Sequence, residues 1–323
     1  MAFEWTTDPA RAADALHHGH LAVLPTETVY GLAAVADEPP AGARVFAVKG
    51  RPVDHPLIAH VVDADAARAW AREVPAYAES LMQELWPGPL TLVLARSERA
   101  ADYITGGQDS VAVRVPGSPV TRAVLRELAV LRQDPAVAVA APSANRFGRV
   151  SPTTAQHAAQ EIGDLLESGD VVLDAGPCVV GVESTIVDCT GDRPVILRPG
   201  KVTAREIAEV SSLELGTRSD VRAPGTLAAH YSPHAQVRVV DEADLGALAN
   251  DARTGVIALA SIPTPVGTVR LCTPNTVEEY AASLYRALRE ADALDLATVI
   301  AVPPDGEGLA EAIRDRLARA AAS

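Results

Sequence analysis

The segment Leu21-Ala22-Val23-Leu24-Pro25-Thr26-Glu27-Thr28-Val29-Tyr30-Gly31-Leu32 begins with four apolar residues and continues into a polar cluster. We predict a strand over residues 21–24 and a loop over residues 25–32. In open α/β sheets, ligands bind at the carboxyl ends of strands, so this loop is a candidate binding loop. A polar turn that leads into the next element explains the segment, taken alone, at least as well.

Short apolar runs rich in β-branched residues recur up to about Val210 and alternate with helical stretches, which indicates an α/β fold. Several runs are too close together for a crossover helix, so we expect a mixed sheet with antiparallel pairs. The predicted strands are residues 21–24, 57–61, 90–94, 111–115, 137–141, 171–173, 185–187 and 195–197.

The last third of the chain forms a separate region in this interpretation. Residues 211–234 have no clear periodicity, and long segments of this kind are usually lids or domain connectors. Beyond them we predict a helix over residues 276–291, opened by a capping box of Thr276 and Glu279. The predicted strands there are residues 236–240, 256–259, 269–271 and 298–302. We therefore predict a first domain over residues 1–210, a linker or lid over 211–234, and a small α/β domain over 235–323.

The amino-acid composition and net charge of the chain argue against several classes of protein. The 323 residues are 48% apolar and 22% charged, which is typical of a chain that folds throughout. The formal net charge of −14 argues against a broad basic surface for nucleic-acid phosphates. Three scattered cysteines favour a reducing compartment over disulfides. No stretch approaches the roughly 18 apolar residues of a membrane span, so we predict a cytoplasmic protein without a membrane partner.

The second polar cluster is Lys49-Gly50-Arg51-Pro52, which follows a helix-like stretch. Only Lys49 and Lys201 are lysines among the 28 basic residues. A compact ammonium and a guanidinium fork on either side of a glycine suit a polyphosphate. Complementing the dipole at a helix C-terminus is an alternative role. His55 and His60 follow without a carboxylate partner at ligand spacing, so we predict no metal site.

The third cluster is Ala140-Ala141-Pro142-Ser143-Ala144-Asn145, which again leaves an apolar strand. Its small residues allow close approach of a ligand, and Ser143 and Asn145 offer hydrogen bonds to phosphate or ribose. Further along, Thr153 and Gln156 predict a capping box and hence a helix N-terminus that can face an anion. As a cap alone, Thr153 needs no further function. The P-loop pattern and the G-x-G-x-x-G fingerprint are both missing from the sequence.

Three more segments complete the set: Gly181-Val182-Glu183-Ser184-Thr185, Leu197-Arg198-Pro199-Gly200, and the linker's Pro224-Gly225 with His230-Tyr231-Ser232-Pro233. Ser184 lacks the G-x-S-x-G elbow of a hydrolase nucleophile. Arg114 ends a predicted strand, and its simplest alternative role is a surface salt bridge.

Taken in order, these segments resemble the threonylcarbamoyl-AMP synthase family, whose catalytic unit is the YrdC-like domain. The resemblance covers roughly residues 20–210 and includes Trp86-Pro87-Gly88-Pro89-Leu90-Thr91 and Val113-Arg114-Val115-Pro116. The linker and the tail resemble the longer, two-domain branch of that family. The resemblance implies a YrdC-like mixed twisted sheet with helices, plus a second, smaller Rossmann-like α/β domain.

The resemblance also implies a reaction. L-threonine, hydrogencarbonate and ATP, accompanied by Mg²⁺, give threonylcarbamoyl-adenylate, pyrophosphate and water. The product is passed to a separate transferase that modifies an adenosine next to the anticodon of certain tRNAs. Stable binding of tRNA to this acidic chain itself is not expected.

Positional matching to the family implies two sets of site residues, without a metal-ligating residue. The nucleotide set contains the four catalytic candidates Lys49, Arg51, Ser143 and Asn145, together with His55, Ser110, Ser151, Arg198 and Tyr231. The threonine set is Thr28, His60, Arg114, Ala141 and Ser184. Position 55 departs from the family, which typically has asparagine there. We expect Lys49 and Arg51 to neutralise the phosphates, Arg114 to pair with the amino-acid carboxylate, and the linker to close through Tyr231 and exclude water.

Two other functions compete with this one. YrdC-like domains also occur in carbamoyltransferases that form carbamoyl-adenylate, but those proteins carry large additional modules with metal-binding histidines that this chain lacks. A non-enzymatic RNA-binding module is the second alternative, and the acidic balance of the chain argues against it.

Overall fold

The computed structural model describes residues 3–226, 229–248 and 252–322. Leu227 and Ala228 of the predicted linker lie outside the described residues. The strands of the first region are β1 (Glu4–Thr6), β2 (Ala22–Pro25), β3 (Tyr30–Val35), β4 (Ile58–His60), β5 (Ala71–Glu73), β6 (Leu90–Arg96), β7 (Ser110–Arg114), β8 (Val139–Ala140), β9 (Val171–Leu173), β10 (Thr185–Asp188) and β11 (Val195–Arg198). Its helices are α1 (Pro9–His17), α2 (Pro39–Lys49), α3 (Ala64–Trp70), α4 (Ala76–Leu85), α5 (Asp102–Thr105), α6 (Pro119–Arg132), α7 (Ala155–Ile162) and α8 (Ala204–Ser211).

These strands form one mixed sheet in the order β1-β9-β2-β3-β8-β4-β7-β6-β10-β11, with β5 paired to β6. The pairs β2–β3, β3–β8, β4–β8, β6–β7 and β10–β11 are antiparallel, whereas β4–β7 and β6–β10 are parallel. The predicted mixed sheet with antiparallel pairs is therefore confirmed.

Both faces of the sheet are covered, which explains why its strands are apolar without alternation. Along β2, Ala22 and Leu24 pack in one apolar cluster with residues of α1 and α6. Val23 points to the opposite face and packs in a cluster with residues of α2 and α7. A strand buried on both sides gains from an apolar residue at every position.

The second region builds its own smaller sheet. Its strands are β12 (Gln236–Val239), β13 (Thr254–Ile257), β14 (Val269–Cys272) and β15 (Thr298–Ala301), and its helices are α9 (Glu242–Leu248), α10 (Val277–Ala293) and α11 (Leu309–Ala321). The order is β12-β15-β13-β14, and each neighbouring pair is parallel. A small parallel sheet with helices agrees with the expected Rossmann-like α/β architecture.

Two local predictions need correction. Residues 30–32 belong to β3 and not to a loop, because the hydroxyl of Thr26 accepts hydrogen bonds from the backbone N–H of Thr28 and Val29 (3.2 and 3.1 Å) and closes a tight turn. The N-cap of α7 is Thr154, which accepts from His157 N at 3.1 Å, and not Thr153. The turn shortens the predicted loop to residues 26–29 and brings β3 back along β2.

Capping by Thr276 is confirmed, since its hydroxyl accepts from Glu279 N at 3.2 Å. The returning half of the predicted box does not form there, because the carboxylate of Glu279 accepts from Asn275 N at 2.7 Å instead. Two short strands, β1 and β5, and the helix α8 were not predicted. A capping box of Thr203 and Glu206 opens α8, which extends to Ser211 at the start of the predicted linker.

The two regions share an apolar cluster. Val29, Val150, Val182 and Tyr231 from the first region and the linker pack with residues of α10 and α11. An ion pair between Glu161 and Arg289, 2.9 Å apart, also joins them. Among the described residues, none of the helices has the length and apolar character needed to cross a bilayer.

Candidate active site

One cavity receives residues from several loops that leave neighbouring strands. Strands β3, β8, β4 and β7 are adjacent in the sheet, so the loops at their ends converge. The turn after β2, the end of α2, the loop after β8, the segment before β10 and the linker all contribute to its walls. The empty volume, including the open mouth, is about 670 Å³.

Most of the predicted site residues line this cavity. From the nucleotide set they are Lys49, Arg51, Ser143, Asn145, Arg198 and Tyr231, and from the threonine set they are Thr28, His60, Arg114, Ala141 and Ser184. The four catalytic candidates therefore lie in the same cavity, beside the threonine set. Their roles stay predictions at this point, but their convergence is a property of the fold.

Three residues of the nucleotide set do not line the cavity. Ser110 is buried at the start of β7, where it pairs with Ala95 across the sheet. Ser151 is fully buried and donates its hydroxyl to Glu183 Oε1 at 2.6 Å. His55 lies in the turn after α2 with its ring edge-on to Phe147, 5.4 Å between centroids. Ser151 and His55 thus contact residues of the cavity wall, while Ser110 supports the strand that carries Arg114.

The end of α2 presents Lys49 to the loop after β8. Gly50 follows in the left-handed region at φ 61°, which ends the helix and turns the chain toward Arg51. Lys49 is 3% exposed, and its Nζ donates to the carbonyl oxygens of Ser143 and Asn145 at 2.5 and 2.6 Å. Burial, and then the nearby Arg51, hold the pKa of Lys49 well below its ordinary value. An anion bound beside it would reverse that effect.

Arg51 is buried against an aromatic ring. Its guanidinium lies 5.7 Å from the centroid of Phe147 and donates to the carbonyl oxygen of Pro56 at 2.9 Å. Burial is the main cause that lowers the pKa of Arg51 to about 10, and Arg198 adds repulsion. Arg51 therefore remains a cation at neutral pH and supplies fixed positive charge to the wall.

Arg114 forms a buried salt bridge, which replaces the surface salt bridge considered from the sequence. Its Nη2 lies 2.6 Å from Glu27 Oε1, and its Nη1 donates to Thr28 Oγ1 at 3.1 Å. Burial opposes ionisation of Glu27, yet Arg114 and the backbone N–H of Gly117 lower the pKa of this carboxyl below its ordinary value. With Nε directed at the carbonyl of Gly88 at 3.3 Å, these bonds use three of the five guanidinium N–H groups.

His60 is a neutral acceptor in this environment. Its Nδ1 lies 3.1 Å from the carbonyl oxygen of Ile58, and burial together with the charge of Arg114 lowers its pKa to about 3. A carbonyl accepts only, so Nδ1 carries the proton and Nε2 keeps its lone pair. This geometry provides a hydrogen-bond acceptor beside Arg114 at neutral pH.

Arg198 connects the threonine side of the cavity to the linker. It donates from Nε and Nη2 to the carbonyl oxygen of Ser184 at 3.1 and 2.9 Å, and from Nη1 to that of Pro224 at 3.0 Å. Tyr231 lies close by in the left-handed region at φ 64°. Since a bulky residue rarely adopts that conformation, surrounding contacts must hold it.

Four buried polar atoms of this cavity wall have no hydrogen-bond partner in the described part of the chain. They are Arg51 Nε, Asn145 Oδ1, His230 Nδ1 and the hydroxyl of Tyr231. Buried polar groups are nearly always paired in folded proteins. Their concentration around one cavity indicates a polar ligand.

Two family models together match almost the whole chain. A model described as telomere recombination matches residues 14–200, and one described as the C-terminal domain of threonylcarbamoyl-AMP synthase matches residues 202–322. A threonylcarbamoyl-AMP synthase of Pyrococcus abyssi is 37% identical over 96% of this chain and 92% of its own length. The chain belongs to the threonylcarbamoyl-AMP synthase family. A relative of that name from Bacillus subtilis is 33% identical over 98% of this chain and 94% of its own.

Solved structures of threonylcarbamoyl-AMP synthase relatives agree with the fold. Pyrococcus abyssi Sua5 complexed with L-threonine superposes with a TM-score of 0.85 at 37% identity, covering 97% of this chain and 94% of that one. A variant of the same protein, with a histidine and a tyrosine replaced by alanine, gives a TM-score of 0.86 at 34% identity over 99% of this chain and 96% of that one. The expected YrdC-like fold with a second domain is therefore confirmed.

Some residues of this cavity had no role predicted for them. Glu183, His230 and Phe147 line it. Glu183 and His230 directly precede the predicted residues Ser184 and Tyr231, and this position in a polar cluster could have identified them. No sequence pattern of this kind identified Phe147. In residues 3–226, 229–248 and 252–322, no group of three or more histidine, cysteine or acidic side chains is placed to hold a metal ion.

Proposed function

We propose that this chain condenses L-threonine, hydrogencarbonate and ATP to L-threonylcarbamoyl-adenylate, with release of pyrophosphate and water. The observation that carries the proposal is the single cavity in which Lys49, Arg51, Ser143 and Asn145 lie beside Arg114 and His60. The names of the near full-length relatives and the threonine complex of one of them support the choice of substrate.

The nucleotide half of the cavity is the wall formed by Lys49, Arg51 and the loop after β8. Two buried cations there can meet the triphosphate, and Asn145 has an unpartnered amide oxygen. Because Lys49 is already anchored to two carbonyl oxygens, its ammonium is fixed before the ligand arrives. A group that is already in place needs no reorganisation when the negative charge of the transition state develops.

The threonine half is the wall formed by Thr28, His60, Arg114 and Ser184. The two unused N–H groups of Arg114 can meet the amino-acid carboxylate in the bidentate manner typical of guanidinium. His60 Nε2 is an acceptor suited to the threonine hydroxyl. The methyl group that separates threonine from serine is worth on the order of 1 kcal/mol, so any preference between them is modest.

The chemistry fits a site without a nucleophilic side chain. The threonine amine attacks hydrogencarbonate and loses water to give a carbamate. A carbamate oxygen then attacks the α-phosphorus of ATP, and the bond to the pyrophosphate oxygen breaks. Both steps depend mainly on positioning, on charge stabilisation and on exclusion of water. The linker, which reaches the cavity through Gly225 and Tyr231, is placed to cover the reacting groups.

We propose that Mg²⁺ enters with ATP. Both carboxylate oxygens of Glu183 already accept hydrogen bonds from protein groups. Asn145 Oδ1 is a buried neutral oxygen without a partner, which fits an ion whose other ligands are phosphate oxygens and water. The ion would neutralise part of the triphosphate charge.

The product is a mixed anhydride that water destroys, so its chemistry requires prompt transfer. We propose that a separate tRNA-modifying transferase receives it in the cytoplasm. The net charge of −14 gives this chain no general attraction for tRNA.

Mass spectrometry tests the proposal directly. The chain is incubated with ATP, Mg²⁺, ¹³C-labelled hydrogencarbonate and one amino acid at a time. Threonine should give an adenylate that contains one ¹³C atom, and serine less of it. Lys49→Ala and Arg51→Ala should release pyrophosphate far more slowly while remaining folded. Wild-type pyrophosphate release by either folded variant would contradict its proposed role, and absence of any labelled adenylate with wild-type protein would contradict the reaction.

A further inference from the structure

Two side chains of the second domain reach the wall of the cavity. Tyr285 lies on α10 and Arg316 on α11, and both are almost completely buried. The Tyr285 hydroxyl donates to Glu183 Oε2 at 2.8 Å, and Arg316 Nε donates to the same oxygen at 2.9 Å. Glu183 lines the cavity and precedes Ser184 in the chain. A carboxylate of the first domain is therefore held by two groups more than a hundred residues away in sequence.

The same two side chains also enclose Tyr231. The ring of Tyr285 stacks on that of Tyr231, with centroids 5.5 Å apart and an interplanar angle of 27°. The guanidinium of Arg316 lies 5.4 Å from the Tyr231 ring centroid. A stacked ring and a cation both bind an aromatic face well in a site from which water is excluded. These contacts hold the ring of Tyr231 in place.

Arg316 reaches one further element of the site. Its Nη2 donates to the carbonyl oxygen of Pro199 at 3.0 Å, directly after Arg198. Its Nη1 pairs with Asp315 Oδ2 at 2.5 Å. One buried guanidinium thus fixes the Glu183 segment, the Arg198 loop and the linker tyrosine together, and two carboxylates balance its charge.

We propose that Tyr285 and Arg316 are positioning residues for the adenylation site, through which the second domain holds the part of the cavity wall formed by Glu183, Arg198 and Tyr231. This inference rests on the proposed function of the same cavity. Neither residue lines the cavity, so each acts through Glu183 and Tyr231. The second domain therefore contributes directly to the structure of the site.

The test uses conservative variants with matched controls on the same helices. Tyr285→Phe removes the bond to Glu183 and keeps the stacked ring, while Arg316→Lys removes the guanidinium fork and keeps the charge. Tyr280 is a buried tyrosine of α10 whose hydroxyl points to carbonyl oxygens of its own domain at 3.2 and 3.4 Å. Arg314 of α11 donates to the carbonyl oxygens of Pro304 and Gly306. Tyr280→Phe and Arg314→Lys are therefore the controls.

ATP binding by calorimetry, steady-state KM values and Tm are measured for the full-length chain. We expect Tyr285→Phe and Arg316→Lys to weaken ATP binding about tenfold, the size expected for a lost hydrogen bond to a charged group, and the controls to stay within about twofold. If Arg316→Lys does not fold, Tyr285→Phe alone decides. Unchanged ATP affinity in folded Tyr285→Phe, with a loss of Tm equal to that of Tyr280→Phe, would overturn the inference.

A double-mutant cycle adds a measurement that distinguishes a positioning role from a merely structural one. In a Glu183→Ala background, Tyr285→Phe should change ATP affinity by less than about twofold, because the carboxylate that the Tyr285 hydroxyl holds is gone. A full and additive tenfold effect there would overturn the inference. Wild-type protein that binds ATP but forms no adenylate would contradict only the proposed function, and wild-type protein that does not bind ATP would overturn both.

Discussion

Replacing Glu183 with glutamine removes the negative charge at the junction of the two domains while keeping the shape of the side chain. Burial opposes ionisation of Glu183, but Arg316 and Arg198, helped by the hydroxyl of Ser151, lower its pKa from 4.5 to about 2. The gap of about 2.5 pH units corresponds to roughly 3 kcal/mol of folding free energy. We therefore expect Glu183→Gln to lower the free energy of unfolding by roughly 3 kcal/mol at pH 7.

The sign of the pH dependence follows from the direction of the shift. A carboxyl whose folded pKa is lowered stabilises the fold above its unfolded pKa, and the contribution is lost as pH falls toward the folded pKa. The window here lies between 4.5 and about 2. At pH 3 the wild-type advantage should have shrunk to roughly 1.5 kcal/mol.

Urea unfolding of both proteins at pH 7 and pH 3 measures the effect. Glu4→Gln is the control, because Glu4 pairs with Arg11 in an exposed salt bridge at 2.7 Å, from which only a small change is expected. An equal difference between wild type and Glu183→Gln at the two pH values would refute the reasoning. So would a destabilisation no larger than that of the control.

Three further outcomes follow from the cavity. Lys49→Met should weaken ATP binding about 10- to 100-fold, as calorimetry would show, because it removes a buried amino group placed to meet the triphosphate. The KM for threonine should show no step near pH 6.5 from His60, because its pKa of about 3 keeps the ring neutral above pH 5. His60→Phe should raise the KM for threonine about tenfold in steady-state assays, because the hydrogen-bond acceptor is lost. Gly225→Ala should slow adenylate formation by about tenfold or more in steady-state assays, because the new Cβ would lie 2.5 Å from the Tyr231 hydroxyl. Gly107→Ala is the control. Gly107 also has a positive φ but open space around it, so this variant should lose stability and keep its activity.

Much of the architecture was predictable because burial on both faces of the sheet produces short, continuous apolar runs. Strand β9 was predicted with its observed bounds, and most other strands within one or two residues. Strand β3 was hidden because Tyr30 and Gly31 follow a polar turn whose closure depends on the Thr26 hydroxyl. Strand β1 lies at the edge of the sheet and β5 pairs only with the end of β6, and both, at three residues each, are too short to show a pattern.

The residues of the site could be predicted from the sequence, but the charged residues that pair with them could not. The order of polar clusters identified Lys49 and Arg114 as candidates, but nothing local shows that Arg114 pairs with Glu27, 87 residues away. The contact of Arg316 with Glu183 spans 133 residues and joins two domains. Such pairings depend on how separate elements pack, so composition and spacing cannot show them.

The exchange of labelled pyrophosphate into ATP tests most directly whether this cavity joins a carbamate to the nucleotide. Because adenylate formation releases pyrophosphate, its reversal places the label in ATP. In buffer freed of carbon dioxide, exchange should require threonine and hydrogencarbonate together and should fall sharply in Lys49→Met. Exchange with threonine alone, which would mean direct activation of the amino-acid carboxylate, or no exchange under any condition, would contradict the account.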